Sequence, residues 1–311
     1  MRRVGIVGVG KMGANHARVL QSISEVELIG YYDPVPGSLV SSIPSYSSAD
    51  ELASVVDYLV ISSPTKNHLE NSLVAAGLGV PALIEKPLAM SLDEAKKITS
   101  SFAATNTLAA VGMVERFNIA SFSSKSYIKR GGIGEVKHIS FIREGPYTGR
   151  IRDVGVGLDL ATHDLDLAQW ITESKISSIQ SVKSSINSGP EDYITAVGQL
   201  AMGASFRIEA NWRSPRKQRK LKIYGSSGVL EADLIDMTLR VDNQGNKQVT
   251  WANLRQQFGE NVGDSLFVGL EKKEPLLLEH LEFLNFLQKN CIGNLSTLQE
   301  ATNVIGLLES A

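Results

Sequence analysis

The apolar positions along the chain fall into two textures. In the first third, short β-branched or apolar runs at Arg3–Val7, Val26–Tyr32, Tyr58–Ser62, Ala82–Glu85 and Leu108–Val114 alternate with helical stretches at Asn15–Ser22, Ala49–Val55, His68–Leu78 and Leu92–Ala104. The runs are almost continuously apolar, as strands covered on both faces must be, so the alternation predicts stacked βα units on a parallel sheet. Ser91-Leu92-Asp93-Glu94 opens the last of these helices as a capping box. Ser41–Ser48, serine-rich and containing Pro44, reads as a loop around a poorly formed edge strand. After Asn118 a helical segment runs to about Lys129 and ends at Gly131-Gly132. Longer alternating runs follow at Val136–Arg143, Ser178–Ser188, Ile194–Leu200, Ala204–Trp212, Lys220–Tyr224 and Thr238–Val241. Turn signals at Gly225-Ser226-Ser227-Gly228 and Asp242-Asn243-Gln244-Gly245 make these hairpin-connected strands of an antiparallel sheet. Further helices are expected at Leu158–Ile171, near Leu276–Lys289 and at Leu298–Leu308.

Composition narrows the class. The 311 residues suit two domains, and 43% hydrophobic with 21% charged residues is ordinary for a globular chain. Cys291 is the only cysteine, which excludes an intrachain disulfide and a thiolate zinc cluster and fits a reducing, cytoplasmic setting. A net charge of −2 supplies no global attraction to nucleic acid or anionic membrane. No apolar run approaches the roughly 20 residues of a spanning helix. Arg2 and Arg3 before Val4–Val9 imitate a signal peptide, but the run is short, glycine-broken and without a cleavage site, so it reads as the first strand.

Gly8-Val9-Gly10-Lys11-Met12-Gly13 follows that strand and opens a helix. In this context the first glycine permits a tight turn, the second lets backbone N–H groups approach a pyrophosphate, and the third allows close helix–strand contact. Asp33 ends the second strand, where an acid meets a ribose 2′-OH and repels a 2′-phosphate; no arginine follows it, so NAD is expected rather than NADP. A glycine-rich turn without a ligand is the plain structural alternative. The fold expected is α/β: an N-terminal Rossmann doubly wound parallel sheet over residues 1–118, and a C-terminal α+β domain with a large, mainly antiparallel open sheet over residues 119–311. Ser62-Ser63-Pro64-Thr65-Lys66-Asn67-His68 and Glu85-Lys86-Pro87 follow two further strands, at the rim where such sheets bind ligands. Lys86 either closes a βα loop at the surface or donates to a substrate oxygen.

Asp159, His163 and Asp166 lie at i, i+4 and i+7 on a helix that is apolar over much of its remaining circumference. A polar stripe on a buried helix needs partners, which leaves a satisfied core network, catalysis or a metal site open; the lack of a cysteine or a second clustered histidine disfavours the metal. Two basic clusters qualify as anion sites: Arg143, Arg150 and Arg152, and Arg213, Arg216, Lys217, Arg219, Lys220 and Lys222 beside Trp212. The second reads equally as a solvated loop with a charged strand edge.

Gly8–Gly13, Asp33, Ser63-Pro64 with His68, Glu85-Lys86-Pro87, Gly112 with Arg116-Phe117, and Asp159 with His163 stand in an order that resembles the Gfo/Idh/MocA sugar oxidoreductases across nearly the whole chain. Within that family Asn15–Leu20, Val114–Asn118, Arg150–Val156, Asp159–Asp164 and Asn211–Pro215 are most similar to its UDP-N-acetylglucosamine 3-dehydrogenase branch. The resemblance implies an NAD-dependent dehydrogenase of a sugar ring hydroxyl. Lys86, Asp159 and His163 would be its catalytic residues. The cofactor would be held by Gly8, Gly10, Lys11, Met12, Gly13, Asp33, Ser63, Pro64, His68, Glu85 and Lys86. The substrate would meet Lys86, Arg116, Asn118, Arg150, Arg152, Asp159 and His163. His163 is the proton acceptor in this reading and Lys86 stabilises the reacting oxygen, although Lys86 can also be cast as the base. A homodimer or homotetramer is expected, with no metal, nucleic-acid or membrane partner. The alternatives are a dehydrogenase of a free sugar or inositol-type polyol, and a non-catalytic NAD-dependent ligand sensor.

Overall fold

In the computed structural model, which describes residues 1–35, 43–147, 149, 154–186, 189–244 and 262–311, strand β1 (Arg2–Val7) leads directly into helix α1 (Lys11–Leu20). Then come β2 (Val26–Tyr32), α2 (Ala49–Ala53), β3 (Tyr58–Ile61), α3 (His68–Gly77), β4 (Ala82–Glu85), α4 (Leu92–Ala104) and β5 (Ala109–Gly112). The five strands pair in parallel in the order β2-β1-β3-β4-β5. Every residue of β3 and β4 is buried, because helices cover both faces of the sheet. The two-residue period of a strand divides their side chains between two apolar layers: Leu59 and Ile61 join one, Tyr58 and Val60 the other.

The chain continues through α5 (Ile119–Lys129), β6 (Val136–Pro146), a π-helical turn at Gly157–Ala161, and α6 (Thr162–Thr172). Seven strands follow: β7 (Ile176–Ser184), β8 (Tyr193–Leu200), β9 (Ser205–Asn211), β10 (Arg213–Gly225), β11 (Gly228–Asp233), β12 (Thr238–Gln244) and β13 (Val262–Val268). Helices α7 (Pro275–Lys289) and α8 (Leu298–Ser310) close the order. The second sheet runs β13-β12-β11-β10-β6-β9-β8-β7 and is antiparallel except where β6 lies parallel to β9. Ile139, Phe141, Phe206, Ile208, Leu221, Ile223 and Leu230 are buried from its central strands.

The α/β fold expected from the pattern is present, and the packing refines the division at residue 118. One compact unit comprises Met1–Phe117, Gly149–Asp166 and Glu274–Ser310; the other comprises Asn118–Thr148 and Leu167–Lys273, with Ala311. The chain returns to the first unit because the parallel sheet leaves apolar surface to cover. Phe283 of α7 packs on Tyr58, ring centroids 5.5 Å apart, within the layer that includes Val4, Ile6 and Leu20. Leu298, Ala301 and Ile305 of α8 join the opposite layer beside Ala95 and Ile98 of α4.

Smaller differences have local causes. Ser91 Oγ accepts from the Glu94 N–H at 3.3 Å, but the Glu94 carboxylate reaches the Met90 N–H at 3.0 Å, one residue outside the expected box. The edge strand after β2 is a single bridge between Tyr31 and Ser45. Asp242–Gln244 stay in β12, and Gly245 lies outside the described residues. The pattern missed β11, a short strand masked by the preceding turn signal, and β13, whose Gly and Asp interrupt the alternation. No helix among the described residues is long and apolar enough to cross a membrane.

Phe283→Ala should lower the unfolding free energy by about 3–5 kcal/mol, the range for deleting a buried phenylalanine, read as a lower urea midpoint. An unchanged midpoint would remove α7 from the core of the first unit.

Candidate active site

The glycine-rich loop is built by close approach. Gly8 takes φ +91°, and a Cβ there would lie 2.4 Å from the Ser63 backbone. A Cβ on Gly13 would lie 2.1 Å from the Gly8 carbonyl oxygen. Gly10 alone of the three faces open space, with no atom of the described residues within 4 Å of its Cβ position, and it caps α1 without a side-chain hydrogen bond. The loop therefore presents uncapped N–H groups at one open point, which fits a pyrophosphate. Lys11 is exposed and Met12 half-buried on the first turn. Asp33 braces the loop: Oδ2 accepts from the Val9 N–H at 2.8 Å and Oδ1 from the Val35 N–H at 2.9 Å. A carboxylate has about four lone-pair sites, so capacity for ribose hydroxyls remains. Ser62 Oγ donates to the Gly8 carbonyl at 2.7 Å and closes the crevice floor between β1 and β3. Strand order reverses there, at the switch point where doubly wound sheets take ligands.

His68, expected among the cofactor-holding residues, sits between two loops of the rim. Its Nδ1 lies 2.9 Å from the Pro87 carbonyl and its Nε2 2.9 Å from the Ser63 carbonyl, so the buried ring ties one βα loop to the next. Burial pushes its pKa down, against the two carbonyls and the Glu85 charge that favour protonation. Asn71 Nδ2 donates to Ser63 Oγ at 3.0 Å and adds a second brace. Ser63 is thus held from behind, while Pro64 is exposed.

Lys86 and Asp159 meet. The lysine Nζ donates to the Asp159 carbonyl at 2.7 Å and to Oδ1 at 2.8 Å, with both side chains mostly buried. The next residue back is equally constrained: Glu85 Oε2 accepts from the Lys86 N–H at 3.1 Å and Oε1 from His16 Nε2 at 2.9 Å. His16 Nδ1 in turn shares a 2.8 Å hydrogen bond with His280 Nε2. Burial pushes the Glu85 carboxyl up, but the His16 hydrogen bond and the His16 and Lys86 charges hold it below the usual carboxylate range. The neighbouring Glu279 is pushed well above that range, by burial first and by the Glu85 charge second. His280 is pushed well below the imidazole range by burial and then by His16. Neither Glu279 oxygen nor His280 Nδ1 has a hydrogen-bond partner among the described residues.

The predicted polar stripe is buried and partnered, but its first turn is not α-helical. Asp159 sits in the π-helical turn, whose wider winding separates it from the α-helical register of His163 and Asp166. Asp166 receives a paired bond from Arg116, Nε at 2.8 Å and Nη2 at 2.5 Å, and Arg116 Nη1 donates to the Leu295 carbonyl at 2.9 Å. Arg116, expected to meet substrate, is a buried strut between α6 and the segment that precedes α8. Asn118 is engaged likewise: its Oδ1 accepts from the Ala120 N–H at 3.0 Å as the cap of α5, and its Nδ2 donates to the Leu234 carbonyl at 2.7 Å. Arg143 is fully buried in β6, while Arg150 and Arg152 lie outside the described residues. The second basic cluster lies on β10 rather than in a loop, and Arg213, Lys220 and Lys222 pair with Asp192, Asp233 and Glu231. Lys220 and Lys222 stand directly opposite their acids on β11, which neutralises that stripe.

Comparison with known proteins agrees with this geometry. The family described as "Oxidoreductase family, NAD-binding Rossmann fold" matches residues 2–113, and the "GFO/IDH/MocA C-terminal domain" matches residues 123–231. The chain belongs to the Gfo/Idh/MocA oxidoreductase family. It is 27% identical over 288 residues to a UDP-N-acetylglucosamine 3-dehydrogenase of Acidithiobacillus ferrooxidans, covering 91% of this chain and 88% of that protein. It is 26% identical over 234 residues to the NAD⁺-dependent scyllo-inositol 2-dehydrogenase of Bacillus subtilis, covering 68% of each. The solved structure of the Acidithiobacillus ferrooxidans UDP-N-acetylglucosamine 3-dehydrogenase superposes with a TM-score of 0.86 at 24% identity, covering 100% of this chain and 96% of that one, and so shares the fold.

As a Gfo/Idh/MocA member, the chain carries an NAD-binding Rossmann domain, and the residues present fit that cofactor: an open glycine cradle faces an acid-ended second strand. His16, Asn71, Glu279 and His280 were not singled out from sequence as site residues. The available signal was polarity on apolar helices: His16 sits beside Ala17 and Leu20, and Glu279-His280 interrupts a leucine run.

Gly10→Ala should leave thermal unfolding unchanged, since its φ of −62° suits alanine and its Cβ position is open, yet it should weaken NAD binding at least about tenfold by standing where phosphate oxygens approach. Calorimetric titration with NAD reads this; unaltered affinity would move the cofactor off the loop.

Glu279→Met should stabilise the protein, since an unsatisfied buried polar group costs about 1–3 kcal/mol. The folded carboxyl keeps its proton where the unfolded one, near pKa ~4.3, has released it, so the wild-type penalty grows as pH rises. His280 acts oppositely: it stays neutral when folded, and its stabilising contribution is lost as pH falls below the unfolded imidazole value of ~6.5. The rise in melting temperature with Glu279→Met should therefore be larger at pH 8 than at pH 5, and an equal or smaller rise would contradict a protonated Glu279.

Proposed function

We propose that this protein is an NAD-dependent dehydrogenase of a nucleotide sugar, oxidising the 3-hydroxyl of UDP-N-acetylglucosamine or a closely related compound. The observation that carries the reading is the Lys86–Asp159 pair beside a buried His163 on the following turn. Removing hydrogen from a secondary alcohol sends a proton to a base and a hydride away from the same carbon. Bound NAD supplies the hydride acceptor. His163 takes the hydroxyl proton, Lys86 donates its remaining N–H to the oxygen as negative charge develops, and Asp159 fixes the lysine. A base needs a lone pair, whereas Lys86 is engaged as a donor with two of its three N–H groups on Asp159. That arrangement favours His163 as the acceptor. Arg116 and Asn118 serve as positioning groups, and Arg150 and Arg152 are assigned to the substrate diphosphate on sequence grounds.

Asp33 supports NAD over NADP, because its loop-bracing carboxylate would repel a 2′-phosphate. The UDP-sugar assignment is supported by the likeness to the UDP-N-acetylglucosamine 3-dehydrogenase across 91% of the chain. The same reading takes the protein as a homodimer or homotetramer in the cytoplasm, with exposed Val182 and Val197 on β7 and β8 as part of the pairing surface.

The test is NADH formation with UDP-N-acetylglucosamine, other UDP-sugars, free sugars and inositols. Turnover of UDP-N-acetylglucosamine is expected; a strong preference for inositols would replace it with the polyol reading. His163→Ala should cut kcat by about 10²–10⁴-fold and abolish the rising limb of the pH profile, which Lys86→Ala should retain. A loss under about tenfold with the limb intact would remove His163 as the base.

A further inference from the structure

Beyond the groups that meet substrate, the first unit contains a buried string with no part in the chemistry described so far. It runs from His280 on α7 through His16 on α1 to Glu85 at the end of β4. His16 and His280 are fully buried and edge to face at 86°, and Glu85 is 8% exposed. A carboxylate only accepts, so His16 Nε2 must be the donor to Glu85, and the His280 contact fixes the other edge of the ring. The opposite oxygen of the same carboxylate holds the Lys86 N–H. His16 stands three residues past Gly13 on the helix that the glycine loop opens, so one carboxylate joins that helix to the lysine backbone.

We propose that His16 is a positioning residue for the reaction: by donating to Glu85 it keeps that carboxylate in place beneath the Lys86 N–H, and thereby keeps Lys86 Nζ on Asp159. Without the imidazole, Glu85 is a buried anion lacking one of its two donors. Such a group takes up a proton or turns toward water, because an uncompensated buried charge is costly. Either movement releases the Lys86 backbone, and the ammonium loses its set on Asp159. Misplacement by about 1 Å in a catalytic group can cost about 10²-fold in rate. A neutral glutamine at position 85 would keep a carbonyl for the Lys86 N–H with no charge to compensate, so it should relieve the loss of His16. A residue that merely fills the core would show no such relief.

The inference rests on Lys86 acting at the substrate oxygen, but its first test needs no substrate. Crystal structures of His16→Leu, His16→Gln and the double variant His16→Leu/Glu85→Gln would be compared with the unmodified protein. Lys86 Nζ should leave Asp159 in His16→Leu and remain on it in the other two, since glutamine supplies a replacement N–H. With the sugar that the unmodified protein oxidises, kcat of His16→Leu should fall about 10²-fold while KM for NAD changes less than about threefold; the double variant should recover most of kcat. Lys86 staying on Asp159 in His16→Leu, or a loss that Glu85→Gln fails to relieve, would overturn the proposal. If His16→Leu does not fold, the double variant decides: a folded protein with Lys86 on Asp159 supports the proposal, and an unfolded one overturns it. The expected lysine movements without turnover of any sugar would count against the proposed function alone.

Discussion

An ammonium group near the carboxyl rim of a parallel sheet has to be held by something, and here the holder is a carboxylate from a distant part of the chain. Lys86 projects from the end of β4, and Asp159 reaches it from a π-helical turn more than seventy residues later. The aspartate supplies two acceptors, its carbonyl and its Oδ1, so the lysine is fixed in direction as well as charge. Residues 154–166 accordingly belong to the nucleotide-binding unit. Helix α8 serves the same end through Glu300, 3.4 Å from Arg116, which pins Asp166 on the helix carrying His163.

The π-helical turn is the local device that makes this possible. An α-helix from Leu158 would place Asp159, His163 and Asp166 on one stripe, directed at a common neighbour. Wider winding over Gly157–Ala161 turns Asp159 away from that stripe, so it can meet Lys86 while Asp166 meets Arg116. Two buried ion pairs then clamp either end of a short segment. Each is expensive in desolvation and gains its value from the direction it imposes.

Much of the site was legible in sequence because it depends on local backbone rules. The glycine spacing, the acid at the end of the second strand and the lysine before a proline each follow from what a βα turn permits, and the structure places all three at the same rim. The apolar runs marked the parallel strands to within a residue or two because both faces of such strands are buried. What local patterns could not carry was partnership. Arg116 and Asn118 look like ligand-facing groups in a motif, yet their nitrogens meet Asp166, Leu295 and Leu234, positions far away in the chain. His68 and His16 are alike in this respect, since a ring on a helix reveals its role only through the atoms across from it. The π-helical turn was invisible because hydrophobic periodicity assumes the winding it is used to detect.

One packing unit contains the glycine loop, Asp33, Lys86, Asp159 and His163. Under the proposed roles, the supports of hydride and proton removal, Glu85 and Arg116 among them, belong to the same unit. The likeness to known dehydrogenases extends into both units, since the C-terminal family model matches residues 123–231 and the nucleotide-sugar dehydrogenase matches 91% of the chain. A lysine held by two hydrogen bonds tolerates little displacement, so keeping it and its holder in one packed unit fixes its direction.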